Sequence, residues 1–125
     1  MEKYRVLLVD DEVEFVTTLA ERLILRGIDA RTATDGEEAL RMIEADPPQV
    51  VIQDLMLPGL GGIEVLQYIR SNYPDIQVIM LTGQGSTRSG IEGMRLGAFD
   101  YLMKPLTIEE LIQKIGNAVA ASKAK

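Results

Sequence analysis

Short runs of branched apolar residues alternate along this 125-residue chain with stretches in which apolar residues recur every three or four positions. The runs "YRVLLV" (4–9), "VVI" (50–52), "IQVIML" (76–81) and "FDYLM" (99–103) are bounded by turn-forming residues and predict strands. The first three are almost continuously apolar, as in strands of a parallel sheet covered on both faces. A weaker run, "DARTA" (29–33), alternates in polarity and is expected at a sheet edge. Helical spacing is found at Val16, Leu19, Ala20 and Leu23, at Ala39, Leu40 and Ile43, and at Ile63, Leu66 and Ile69. It returns at Ile91, Met94 and Arg95, and most clearly at Ile108, Leu111, Ile112, Ile115 and Val119. Thr107 supplies a cap for this last helix, and Glu109 and Glu110 suit the positive end of its dipole. Gly27 and Gly97 stand where a helix C-terminus favours a residue tolerant of positive φ. The order βαβαβαβαβα predicts one α/β domain over residues 1–125, a parallel sheet with right-handed crossovers and helices on both faces.

Composition narrows the function classes. Thirteen basic against nineteen acidic residues give a net charge of −6, which disfavours a general nucleic-acid or anionic-membrane binder. Without cysteine there are no disulfides, thiol nucleophiles or thiolate metal sites. Without histidine there is no imidazole-bound zinc, no His-based triad and no phosphohistidine on this chain. The opening "MEKYRVLLVDDE" has too short an apolar run for a signal peptide, and no stretch has the length of a membrane span, so the expected compartment is the cytoplasm.

In an open parallel sheet every strand ends at the same edge, and ligands bind there. The expected strand ends carry Asp10 and Asp11, then Asp54, then Thr82, then Lys104 with Pro105. Each alone has a plain structural reading. Asp11 with Glu14 fits a helix-capping pattern, Asp54 before "LMLPGLGG" fits turn chemistry, Thr82 in "TGQGST" fits a loop or cap hydroxyl, and Lys104 fits a solvated strand-end charge. Together they are a different matter. Two carboxylates about 4 Å apart repel by about 4 kcal/mol at an effective dielectric near 20, and one lysine neutralises only one of three. Hard oxygen ligands favour Mg²⁺, with Mn²⁺ as a substitute, and Mg²⁺ takes few carboxylates together with phosphate oxygens. The edge is thus suited to a phosphoryl group.

With "LLVDDE", "DLMLPGLGG", "MLTG" and "GAFDYLMKP" in this order and at these separations, the chain closely resembles the receiver domain of bacterial two-component response regulators over essentially its whole length. The resemblance implies a doubly wound, flavodoxin-like five-stranded sheet of order 2-1-3-4-5, an order the fold class is known for. It implies a phosphorylation-activated switch in which Asp54 accepts a phosphoryl group from a histidine kinase or histidine phosphotransfer protein. Asp10, Asp11, Asp54 and the backbone carbonyl of Met56 would hold Mg²⁺. Lys104 would pair with Asp54 or a phosphoryl oxygen, and Thr82 would hydrogen-bond another. Tyr101 would move inward as Thr82 is drawn to the phosphate, and Lys104-Pro105 would be cis. The output surface would be the fourth helix, fifth strand and fifth helix, including Arg88, Arg95, Tyr101 and the 107–120 helix, with homodimerisation on phosphorylation allowed for. Such a domain catalyses only its own phosphorylation and dephosphorylation, so it is a switch rather than an enzyme.

Several residues depart from the family pattern. Gln53 precedes the acceptor where an apolar or small residue is commoner, and Gly61-Gly62 replaces the commoner Asp-Gly, which makes the loop more costly to order. Met56 and Gln84 occupy positions that tune phosphate lifetime in the family. Two alternatives stand beside this reading. A haloacid-dehalogenase-like phosphohydrolase uses similar groups, but its nucleophile follows the first strand in a D-x-D pattern, and position 12 here is Glu. A binding-only pseudo-receiver would not need every acceptor-site group.

Overall fold

A computed structural model describes residues 3–57, 59–83 and 87–123, with 87–90 and 123 described by their backbone alone. Pro58, Gln84 and the side chain of Arg88, singled out above, lie outside the described residues. The strands are β1 (Arg5–Val9), β2 (Asp29–Ala33), β3 (Val50–Asp54), β4 (Gln77–Thr82) and β5 (Asp100–Met103). The helices are α1 (Val13–Leu25), α2 (Gly36–Ala45), α3 (Gly62–Asn72), α4 (Thr87–Arg95) and α5 (Ile108–Lys123). All strands pair in parallel in the order β2-β1-β3-β4-β5. The chain reverses its direction of winding between β2 and β3, so the carboxyl ends of β1 and β3 flank the crevice where such sheets bind ligands.

Apolarity tracks strand position. Every residue of β3 and β4 is buried, and so is all of β1 after Arg5, whereas β2 and β5 at the edges each keep one exposed residue. Because side chains alternate across a strand, the sheet carries two cores. Leu8, Ile52, Ile79 and Leu81 pack with α1 and α5 through Leu19, Leu23, Leu111 and Ile115. On the other face Val9, Val51, Val78 and Met80 pack with α2 and α3 through Ile43, Val65, Leu66 and Ile69.

Helix ends follow local chemistry, with two corrections. Thr107 and Glu110 form a reciprocal cap on α5: Glu110 N–H donates to Thr107 Oγ1 (3.1 Å) and Thr107 N–H donates to Glu110 Oε1 (3.2 Å). Gly27 and Gly97 close α1 and α4 at φ 83° and 107°. The Asp11–Glu14 cap does not form. Helix α1 begins at Val13 without a side-chain cap, and the Glu12 N–H donates to Asp10 Oδ1 at 2.9 Å instead. The expected stripe on α4 is also turned outward, leaving Ile91 and Met94 exposed. Helix α4 meets the sheet through Gly93, where an added Cβ would stand 3.3 Å from Met80 Cγ, and this close approach turns the larger residues away.

The double glycine before α3 also divides into two unlike positions. At Gly62 a Cβ would lie 2.6 Å from the Asp54 carbonyl oxygen and 2.9 Å from Leu55 Cα, both backbone atoms. At Gly61 the nearest atom is the movable Glu64 Oε1 at 3.4 Å, and φ is −70°. The close approach of α3 to the end of β3 therefore requires Gly62, whereas Gly61 is free to change. Gly62→Ala should lower unfolding free energy by about 1–3 kcal/mol. Gly61→Ala should leave it unchanged or raise it by about 0.5 kcal/mol. Urea unfolding of the two variants checks the contrast.

Candidate functional site

Four strand ends build one cluster. Asp10 follows β1, Asp54 is the last residue of β3, Thr82 the last of β4, and Lys104 follows β5. The backbone ties these ends together: Asp10 N–H donates to Ala33 O (3.1 Å), Leu55 N–H to Leu81 O (3.1 Å) and Lys104 N–H to Thr82 O (2.7 Å). The Lys104-Pro105 peptide is cis.

Lys104 Nζ lies 2.7 Å from Asp10 Oδ2, 2.8 Å from Glu12 Oε1 and 3.2 Å from Asp54 Oδ2. Its ammonium also sits 4.8 Å from the centre of the Phe15 ring, a cation–π contact. Asp54 Oδ1 accepts from the Met56 N–H at 2.9 Å, so strand and loop both orient this carboxylate. The Thr82 side chain is buried, and its hydroxyl reaches Leu102 O only at 3.5 Å, a weak hydrogen bond that a better acceptor would displace. Tyr101 is half-buried against the α2–α3 core, and its N–H donates to Asp100 Oδ1. Asp100 in turn pairs with Lys114 of α5 at 2.5 Å.

Of the residues expected from the sequence, Asp10, Asp54 and Lys104 come together. Asp11 is exposed and stands outside the acidic group. Glu12 is in that group: among the described residues, oxygens of Asp10, Glu12 and Asp54 all lie within 4.8 Å of one another. Glu12 and Phe15 reach Lys104 from the start of α1, a position that the pattern of strand ends does not mark.

The electrostatics are unbalanced. Three carboxylates face one ammonium, and at these separations each like-charged pair repels by about 3–4 kcal/mol at an effective dielectric near 20. Asp10 is 0% exposed, and its Oδ2, though close to Lys104, has no hydrogen bond of good geometry. Burial pushes the Asp10 pKa above the ordinary carboxylate value, against the pull of Lys104 and the Glu12 N–H. For Lys104, burial works to lower the pKa, but its contacts with Asp10, Glu12 and Asp54 outweigh this and hold it above the usual lysine value. A buried acid whose only cationic partner is shared with two other acids, in an all-oxygen group short of positive charge, fits a hard divalent cation such as Mg²⁺.

A second polar side chain is buried nearby. Gln53 is 0% exposed, its Nε2 donates to Gly62 O at 2.6 Å, and its Oε1 has no partner. Such an unsatisfied oxygen costs about 1–3 kcal/mol.

An acidic, lysine-centred cleft at the carboxyl edge of a 2-1-3-4-5 parallel sheet defines a class of phosphorylation-controlled signalling domain. Residues 6–116 match the response regulator receiver domain model, and the chain belongs to that family. It is 44% identical over 113 residues to "Probable transcriptional regulator ycf27" of Guillardia theta, covering 90% of this chain and 44% of that protein. It is 38% identical over 111 residues to response regulator MprA of Mycolicibacterium vanbaalenii, covering 89% and 48%. The chain thus spans about half the length of these curated relatives. Among solved structures, the receiver domain of NtrX from Brucella abortus superposes with a TM-score of 0.88 at 33% identity, covering 92% of this chain and 98% of that one. A response regulator receiver domain protein from Clostridium thermocellum gives 0.91 at 34%, covering 97% and 98%. Neither the phosphohydrolase nor the binding-only reading finds support in these likenesses.

The Asp10 environment yields a prediction. An acid whose pKa rises on folding binds its proton more tightly in the native state, so stability falls as pH rises through the raised value. At neutral pH Asp10 therefore destabilises the metal-free protein. Asp10→Asn should raise unfolding free energy by about 0.5–2 kcal/mol without Mg²⁺, and thermal unfolding should shift upward with added Mg²⁺ in wild type but much less in the variant. Lys104 acts in the opposite sense: its contribution is full below the ordinary lysine pKa and is lost as pH rises through the raised one.

Proposed function

We propose that Asp54 is the phosphoacceptor of a two-component signalling switch. The observation that carries this reading is the clustering at Lys104, where one ammonium is shared among Asp10, Glu12 and Asp54, the first of them fully buried. A carboxylate oxygen of Asp54 attacks phosphorus in line while the phosphorus–nitrogen bond of a donor phosphohistidine breaks, its electron pair leaving with the imidazole. The donor is a histidine kinase or phosphotransfer protein, since this chain has no histidine. Mg²⁺, when bound, neutralises the charge of the transferring group. Asp10, Asp11, Asp54 and the Met56 carbonyl would hold it, with Glu12 a further acid at the same mouth. Lys104 remains charged throughout the physiological range and exchanges part of its contact with Asp54 for a phosphoryl oxygen. The domain modifies itself and turns over no separate substrate, and its expected place is the cytoplasm.

Thr82 links the chemistry to the surface. Its weak bond to Leu102 O leaves the hydroxyl available to a phosphoryl oxygen, and Leu102 adjoins Tyr101 in β5. Phosphorylation would then bias an existing equilibrium in α4, β5 and α5. Exposed Ile91, Met94 and Met103 give that face the apolar area an output domain, an output protein or a second copy of the chain needs. Arg95 and Tyr101 lie on the same face. Among the described residues no helix is long and apolar enough to cross a membrane.

Incubation with a small acyl phosphate and Mg²⁺ tests the reading by intact-mass measurement. One phosphoryl group per chain is expected, labile to hydroxylamine and absent in Asp54→Asn. An adduct that persists in Asp54→Asn, or multiple turnovers on a phosphate monoester, would overturn it.

A further inference from the structure

Gln53 adjoins Asp54 yet faces away from it. Ile52 belongs to the core under α1 and α5, Val51 to the core under α2 and α3, and Gln53 follows Val51 by strand alternation. Its neighbours in register are apolar, Val9 on β1 and Met80 on β4. An apolar residue would fill this place without leaving an amide oxygen unpartnered, so the amide needs a reason.

Its contacts supply one. Gly62 O is only an acceptor, and Met80 Sδ, 3.6 Å from Nε2, is at most a weak one, so the NH₂ group must face both and Oε1 must be the orphan. Gln53 and Gly62 stand at the two ends of the segment that carries Leu55, Met56 and Leu57. Gly62 is also pressed on the Asp54 carbonyl, where a Cβ would come within 2.6 Å. The hydrogen bond therefore clasps the first residue of α3 to the penultimate residue of β3. It closes the loop whose Met56 N–H holds Asp54 Oδ1 at 2.9 Å.

We propose that Gln53 is a positioning residue for the acceptor site: through Gly62 it fixes the β3–α3 loop, and so sets the orientation of Asp54 and of the Met56 backbone toward a divalent cation. The proposal rests on reading Asp54 as the acceptor, but it concerns loop order and cation binding, which are measurable without phosphoryl transfer. Gln53 cannot touch the phosphoryl group, being on the opposite face of the sheet, and acts only through the backbone.

Gln53→Leu and Gln53→Met remove the donor and the orphan together while keeping an apolar fit. Both should unfold within about 5 °C of wild type. In both, the Met56 amide should exchange with solvent about tenfold faster, and the Mg²⁺ concentration giving half-saturation, followed by amide chemical shifts without phosphodonor, should rise about tenfold. Phosphorylation by an acyl phosphate should require correspondingly more Mg²⁺. Wild-type exchange and Mg²⁺ binding in both variants overturn the proposal, as does loss of the fold in both, which makes Gln53 a structural residue. If wild type takes no phosphoryl group, the acceptor reading fails, while the exchange and Mg²⁺ measurements still decide the role of Gln53.

Discussion

Everything at the carboxyl edge of this sheet turns on one ammonium shared among three carboxylates. Lys104 holds Asp10, Glu12 and Asp54 near one another from a half-buried position, with the Phe15 ring beside it. Without that charge the acids would repel one another by about 3–4 kcal/mol per pair at an effective dielectric near 20. With it, the cleft is still short of positive charge. The fold accepts a standing electrostatic cost, expressed in the raised pKa of Asp10, which a bound cation would offset.

The rest of the architecture holds those strand ends in place. Two cores, one on each face of the sheet, leave β1, β3 and β4 no freedom to slide, because a one-residue slip would exchange their faces. The loops are then anchored where they leave the strands. The Asp10 carboxylate accepts from the Glu12 N–H, Asp54 from the Met56 N–H, and α3 seats directly on the Asp54 carbonyl because Gly62 has no side chain. The α4 side is built differently. Among the described residues, helix α4 meets the sheet through Gly93 and keeps Ile91 and Met94 outside.

Much of this was legible in the sequence, for identifiable reasons. Runs such as "IQVIML" admit few partners other than a doubly covered sheet, and the α1, α3 and α5 stripes bury the faces their spacing predicts. Asp10, Asp54, Thr82 and Lys104 were legible because each ends an expected strand, and parallel topology sends all such ends to one edge. The misreadings have local causes. Glycine gives no periodic signal, so the packing face of α4 was hidden behind Ile91 and Met94. Asp11 matched a capping pattern, but Asp10 was the acid within reach of the Glu12 N–H.

The sequence by itself determined the fold class, the strand order once the family was recognised, and the candidate groups at the strand ends, since periodicity and residue type act through neighbours a few positions apart. Only the tertiary structure decided which acids share Lys104, that Glu12 joins them while Asp11 stands outside, and that Gln53 clasps Gly62. Those outcomes depend on side-chain directions and on contacts between residues distant in the chain. Spacing along the sequence carries no record of them, because they are settled by how closely two pieces of backbone approach.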